Sequence, residues 1–345
     1  MNAYEFVPLD SLFFRGNGPM EAGQLPSISL FPPPLSVFYG AMRTAVLRQR
    51  QISFSDYNNG NIENDVEQCI GKATDPYPPY SIVALLLRKN NTIYAPAPYT
   101  WYRNKGDENR SHGDTTRVFQ GFLLDQKTID DRAVSVSSQP IFWMKGKEPQ
   151  SLGGAWIALD VLQKSVSKGG FIELREKIDL LSEADFLDRE DRVGISLLEA
   201  DTGKPTRNAQ EGQLYAAAHI RLHDGVSLIV VTNRETGLDY QGLVLLGGEK
   251  RVSRYWKVDS PLHEAEIELQ GPDTEHWYEA LVPLKVTQQL VDACIASQKP
   301  YATAGWDLAR HFHKKTTYWL PAGSVFNTSI QNQYAQAAVP LKNSL

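Results

Sequence analysis

The clearest chemistry in the sequence lies at Gly242-Leu243-Val244-Leu245-Leu246-Gly247-Gly248-Glu249-Lys250-Arg251-Val252, where an apolar, strand-like run meets two glycines and then two cations. Glycine reaches positive φ and, lacking a Cβ, lets a backbone or a ligand approach closely. Lys250 and Arg251, followed by Arg254 and Lys257, give the bend a positive rim. Backbone N–H groups beside Lys and Arg suit a phosphate; the same residues also suit a plain tight turn with solvated charges. Aromatic residues stand among cations twice, at Tyr99, Trp101 and Tyr102 with Arg103, Lys105 and Arg110, and at Tyr255 and Trp256 between Arg254 and Lys257. Single-stranded nucleic acid is held by this mixture, each base stack being worth ~1–3 kcal/mol. Core aromatics flanked by solvated charge are the alternative, and Trp256 is expected to face a core.

Catalytic signals are weaker. His311-x-His313 would share a face on a strand but not on a helix, and no third ligand with recognisable spacing stands nearby, so no metal site is assigned. Seven histidines could in principle supply the acid and base of a ribonuclease, which needs two well-placed groups with tuned pKa values. The chain carries no G-x-S-x-G, H-E-x-x-H or P-loop motif. No cofactor is indicated. Cys69 and Cys294 are alone and far apart, which supports neither a disulfide framework nor a cysteine zinc site. A reduced, cytoplasmic setting is expected, with no membrane span and no signal peptide.

The net charge of −5 conceals an uneven distribution. Residues 171–201 hold ten acids and four bases, a local balance of −6, so the remaining chain sums to about +1. Local basic patches on such a chain can bind a phosphate backbone, though not indiscriminately. The acidic stretch is expected to dock a basic partner rather than RNA.

The elements that must position these groups read as α+β. Residues 3–9 form a first strand, and the prolines at 32–34 precede an amphipathic helix carrying Leu35, Phe38, Tyr39, Met42, Ala45 and Val46 on one stripe. Residues 53–79 read as a polar surface excursion. Residues 81–88 and 92–95 read as a hairpin about Asn90-Asn91, 99–117 as a long mobile loop, and 156–166 as a helix. Asp224-Gly225 lies between two β-rich runs, a hairpin signal. Residues 286–297 show helical spacing, and late strands are expected at 316–320 and 325–328. The length suggests two domains.

Four ordered segments make the chain resemble a known family. They are Pro8-Leu9-Asp10-Ser11-Leu12-Phe13-Phe14-Arg15 with Pro19-Met20-Glu21-Ala22-Gly23; Phe31-Pro32-Pro33-Pro34-Leu35-Ser36-Val37-Phe38-Tyr39-Gly40-Ala41-Met42-Arg43-Thr44-Ala45; Arg192-Val193-Gly194-Ile195 with Thr202-Gly203-Lys204 and Glu211-Gly212-Gln213-Leu214-Tyr215; and Leu246-Gly247-Gly248-Glu249-Lys250-Arg251 with Gly305-Trp306-Asp307 and Leu320-Pro321-Ala322-Gly323-Ser324-Val325. Together they resemble the third subunit of Cmr-type, type III-B CRISPR effectors, a RAMP protein of the Cas-five group. The resemblance implies two ferredoxin-like (RRM-like) domains with long loop insertions, here residues 1–190 (insertions near 53–79 and 99–117) and 191–345. It implies a non-catalytic subunit that grips the 5′ repeat-derived tag of the CRISPR guide RNA. Such a subunit bridges the large polymerase-like subunit to the backbone RAMP subunits and meets target RNA only indirectly. A RAMP endoribonuclease using a histidine acid or base is the alternative.

Carried over by position, Arg15, Ser36, Arg43, Gly247, Gly248 and Arg251 are expected to bind RNA; the positive rim of the bend adds Lys250 and Arg254, and the mixture of aromatics and cations makes Trp101, Tyr102 and Arg103 a base-stacking loop. The family closes with a second glycine-rich turn and a final strand. Residues 327–345 here are rich in Gln, Asn and Ala and contain no glycine.

Overall fold

The computed structural model describes residues 1–16, 27–106, 111–124, 141–143, 148–168, 172–199, 205–262, 276–304, 306–307, 312–313, 315–327 and 338–342. At its centre is an eight-stranded sheet. In chain order its elements are β1 (Asn2–Pro8), helix α1 (Leu35–Gln49), β2 (Ile82–Lys89), β3 (Thr92–Pro96), β4 (Trp156–Ala158), β5 (Leu180–Leu181), β6 (Val226–Thr232), β7 (Gln241–Leu245) and β8 (Val252–Val258). Across the sheet the order is β5-β4-β3-β2-β6-β1-β8-β7, and every neighbouring pair is antiparallel.

β1 lies well inside this sheet, so Ala3, Tyr4, Glu5 and Phe6 are all buried. Its register sets Phe6 opposite both Leu228 and Tyr255. α1 covers one face. The expected stripe delivers Phe38, Met42, Ala45 and Val46 to the core, and Phe38 meets Phe6 edge-on at 5.4 Å. Burying a side chain of this size contributes about 1.5–3 kcal/mol. Across the opposite face, the buried Glu5 carboxylate accepts a 2.5 Å hydrogen bond from the Ser227 hydroxyl and lies 3.5 Å from Arg88.

β1 and β2 are both antiparallel to β6, which separates them, and α1 makes the crossover. This is a split β-α-β unit. From β6 to β8 the chain runs through residues 233–240 and the edge strand β7 instead of a second helix. The architecture is thus mixed α and β, with mostly antiparallel sheets and few helices. The sheets do not separate at residue 190, which lies inside the strand Leu187–Glu199. β1 pairs with strands from beyond it, and the buried apolar residues form one cluster from Ala3 to Phe326.

Several local expectations are met. Asn90, at φ 54°, turns β2 into β3. Others are corrected. The surface excursion expected after α1 instead carries two short helices, Phe54–Asn58 and Asn64–Ile70, which bury Tyr57, Val66 and Ile70. The helix expected from residue 156 begins only at Leu159–Lys168, after β4. The helix expected over 286–297 is confined to Gln288–Ala293. Asp224-Gly225 does make a tight turn, with the Val226 N–H on the His223 carbonyl at 3.0 Å, but the flanking strands do not pair. Pro205–Leu222 pairs instead with Leu187–Glu199, while β6 enters the central sheet.

The mobile loop expected over 99–117 holds two strands, Trp101–Asn104 and Thr115–Gln120, which pair with each other and with Pro149–Ser151 and Ile172–Arg175. Beyond residue 276 the chain forms smaller antiparallel sheets; Leu284–Lys285, Thr317–Leu320 and Tyr301–Thr303 make one of them. The strand Ala338–Lys342, in the atypical tail, pairs with His276–Ala280. No helix among the described residues is long and apolar enough to cross a membrane.

Candidate nucleic-acid interface

The Phe13-Phe14-Arg15 loop is held on three sides. Leu12 and Ile220 exchange backbone hydrogen bonds of 2.7 and 2.8 Å, Leu30 donates to the Phe14 carbonyl at 2.9 Å, and Gly248 donates to the Phe13 carbonyl at 2.8 Å. The glycines follow from that last contact. Gly247 has φ +87°, and a Cβ there would stand 2.6 Å from the Phe13 oxygen. A Cβ on Gly248 would stand 3.0 Å from the Phe13 ring. The turn is closed by the Leu246 N–H on the Arg251 carbonyl at 2.8 Å, and Glu249 and Lys250 both sit at φ 55°. From its sequence the bend suits either a phosphate held by backbone N–H groups or a plain tight turn. The Gly248 N–H, however, is already committed to Phe13.

The charges around the turn are largely committed too. Arg251, mostly buried, donates to Asp10 and to Glu249, each at 2.8 Å. Arg221 bonds Asp10 at 3.0 Å and also Glu190, and Arg192 reaches Glu190 at 3.0 Å. Three arginines therefore face three carboxylates. The Ser11 N–H, aided by Arg221 and Arg192, holds the Asp10 carboxyl below its usual range. Arg221 and then Arg192 do the same for Glu190.

Beneath this network His219 is fully buried and stacks on Phe13 at 5.1 Å. Its Nδ1 lies 3.2 Å from the Ser11 hydroxyl and its Nε2 3.3 Å from the Glu249 carboxylate. Burial pushes its pKa down. Serine, histidine and carboxylate in that sequence resemble a nucleophilic triad. Ser11, however, is itself completely buried, and a nucleophile must reach its substrate. The contacts instead join the first loop, the glycine turn and the strand Pro205–Leu222.

The expected RNA-binding residues fall into two groups. Arg15, Lys250 and Arg254 are exposed, with no ion pair among the described residues. Ser36 is exposed at the first turn of α1. Arg43 and Arg251 are internal ties: Arg43 donates to the carbonyls of Ile70 at 3.0 Å and Asp75 at 3.3 Å, fastening α1 to the segment after it. The base-stacking loop is corrected. Trp101 is 3% exposed in the core, Tyr102 packs 5.9 Å from Phe142, and Arg103 pairs with the buried Glu176 at 3.0 Å. Apolar burial of a strand outweighs its polar flanks here.

Much of the acidic stretch is likewise paired internally, Asp179 with Arg175, Glu183 with Arg189 and Asp185 with Lys177. His311 lies outside the described residues, among which no group of three or more possible metal ligands occurs. Sequence reasoning missed the partners Asp10, Glu190, Arg221 and His219. The available signal for Glu190, Arg221 and His219 is the mixed charge of Asp188-Arg189-Glu190-Asp191-Arg192, which faces 217–221 across the hairpin.

Comparison with solved structures finds the same fold in a chain of a type III-B Cmr-beta complex bound to cognate target RNA and AMPPnP. The TM-score is 0.53 at 16% identity, over 94% of this chain and 85% of that one. A chain of Cmr-beta bound to cognate target RNA gives 0.53 at 17%, over 94% and 86%. A search of curated protein sequences finds no match. The family model described as CRISPR-associated protein (Cas_Cmr3) matches residues 4–282. That match, together with the fold, defines a component of a type III CRISPR effector ribonucleoprotein. The chain belongs to the Cas_Cmr3 family, the Cmr subunits of type III-B effectors.

Proposed function

We propose that this chain is the non-catalytic, RNA-binding subunit that grips the 5′ repeat-derived tag of the guide RNA and bridges the large polymerase-like subunit to the backbone subunits of a Cmr complex. The observation that carries the reading is the Phe13–Gly248 hydrogen bond. Arg15 and Lys250 each stand two residues from it and are exposed, with Arg254 on the adjacent strand β8. A rigid support carrying exposed cations, without ion pairs among the described residues, suits a phosphate backbone. On this reading Gly247 and Gly248 shape the support and do not donate to RNA, Arg251 braces it, and target RNA is met through the guide.

Binding of a single-stranded RNA with and without the repeat-derived tag tests the proposal. The tagged RNA should bind more tightly, and the slope of log affinity against log salt should fall by ~0.7 for each of Arg15, Lys250 and Arg254 replaced by alanine. Equal binding of both RNAs, with an unchanged slope, would overturn it.

A further inference from the structure

A cleft of about 250 Å³ opens beside the start of α1, with Leu35, Tyr39, Tyr77, Tyr80, Trp319 and Lys285 among its walls. Tyr39 stands between two other rings, 5.5 Å from Tyr77 and 5.8 Å from Tyr80. Tyr77 is 46% exposed. The Trp319 indole is fixed by its Nε1–H on the Thr303 hydroxyl at 2.7 Å. The Tyr39 hydroxyl accepts the Ile82 N–H at 2.8 Å, which leaves its own proton to donate, and burial keeps that phenol protonated, its pKa pushed up to about 12.

The rim of this cleft is positive. Lys285 is exposed, with no ion pair among the described residues. α1 begins at Leu35 after Pro34, with no side-chain cap and no acid in its first turn. The Val37 N–H is bonded to the Pro34 carbonyl at 3.0 Å, and the N–H groups of Leu35 and Ser36 lie at the positive end of the helix dipole. A nearby second cavity, of about 290 Å³, has Glu183 and no Lys or Arg among its lining residues, so it lacks this feature. Aromatic walls fit the flat face of a base, and a cation at the mouth fits the phosphate attached to it; an apolar peptide side chain would use only the walls.

We propose that this cleft receives one unpaired nucleobase of single-stranded RNA, stacked against Tyr77 and Trp319, with its phosphate at Lys285 and the exposed first turn at Ser36. The inference rests on the RNA-binding reading above and gives it a second contact point, separate from the glycine turn.

The test uses the full chain with single-stranded repeat-derived RNAs carrying 2-aminopurine at one position each. Quenching should concentrate at one position. Tyr77→Ala should weaken binding about tenfold, the effect of one lost stack, and Tyr77→Phe should restore it, since the ring and not the hydroxyl is used. Lys285→Ala should lower the salt slope by ~0.7.

Wild-type RNA affinity in folded Tyr77→Ala and Trp319→Phe/Tyr77→Ala proteins would overturn the pocket and leave the RNA-binding reading standing. If the wild-type chain binds no RNA, titration with AMP decides. Saturable quenching of tryptophan fluorescence, lost in Tyr77→Ala, supports the pocket without that reading, and no quenching overturns both. Unchanged RNA binding with loss of a protein partner in Tyr77→Ala assigns the cleft to a protein side chain and also overturns it.

Discussion

The glycine turn and the aromatic cleft reverse their appearance in the sequence. The turn is crowded with cations, yet Arg251, Arg221 and Arg192 are matched by Asp10, Glu190 and Glu249. The cleft draws on residues scattered from Leu35 to Trp319 and has one lysine, which stands free of ion pairs among the described residues. Charge available to a ligand is what remains after the protein's own carboxylates are served. A cation count along a sequence overstates it wherever acids from neighbouring segments, here Asp10, Glu190 and Glu249, fold back onto the cations.

The largest effect that could break this contrast is at Gly247. Gly247→Ala places a Cβ 2.6 Å from a carbonyl oxygen at a positive φ, and denaturant unfolding should show a loss of about 3 kcal/mol. A near-neutral result would mean that the turn is not pinned to Phe13. Next is Arg251→Ala, which removes charged hydrogen bonds to Asp10 and Glu249 and should cost about 1.5–3 kcal/mol of stability while leaving the RNA salt slope unchanged. A reduced slope at full stability would return Arg251 to the phosphate contacts.

His219 provides a smaller, pH-dependent effect. Its folded pKa is depressed by burial, so the unfolded chain takes up the proton first as pH falls. Stability should therefore decline as pH drops below the unfolded value of about 6.5 and level off below the folded pKa. His219→Gln should flatten unfolding free energy against pH in that window. An unchanged profile would show that the imidazole does not couple to folding. The least effect is expected at Lys257→Ala: its partner Glu235 is exposed, and surface pairs of this kind contribute about 0–1 kcal/mol.

The periodic features were legible. The stripe on α1, the first strand and the Asn90-Asn91 turn need only local sequence. What local pattern could not resolve was partner choice. The Asp224-Gly225 turn was correctly placed, but its incoming strand was already claimed by Leu187–Glu199. The cations beside Tyr99, Trp101 and Tyr102 leave RNA stacking and core packing both open in the sequence, because the partner that neutralises Arg103, Glu176, lies 73 positions away. Among the cations singled out in the sequence, Arg15, Lys250 and Arg254 are exposed, while Arg43 and Arg251 turn inward onto protein partners.

The place of β1 in the central sheet has a consequence for biosynthesis. Both neighbours of this strand, β6 and β8, lie more than two hundred residues downstream. At roughly 5–20 residues per second, the nascent chain carries an apolar strand with two open edges for on the order of ten seconds or longer before residue 258 is made. Such edges are templates for wrong pairing. Truncations ending before β6 should accumulate as aggregates, and the ribosome-bound intermediate is the stage at which a chaperone would matter most for this chain.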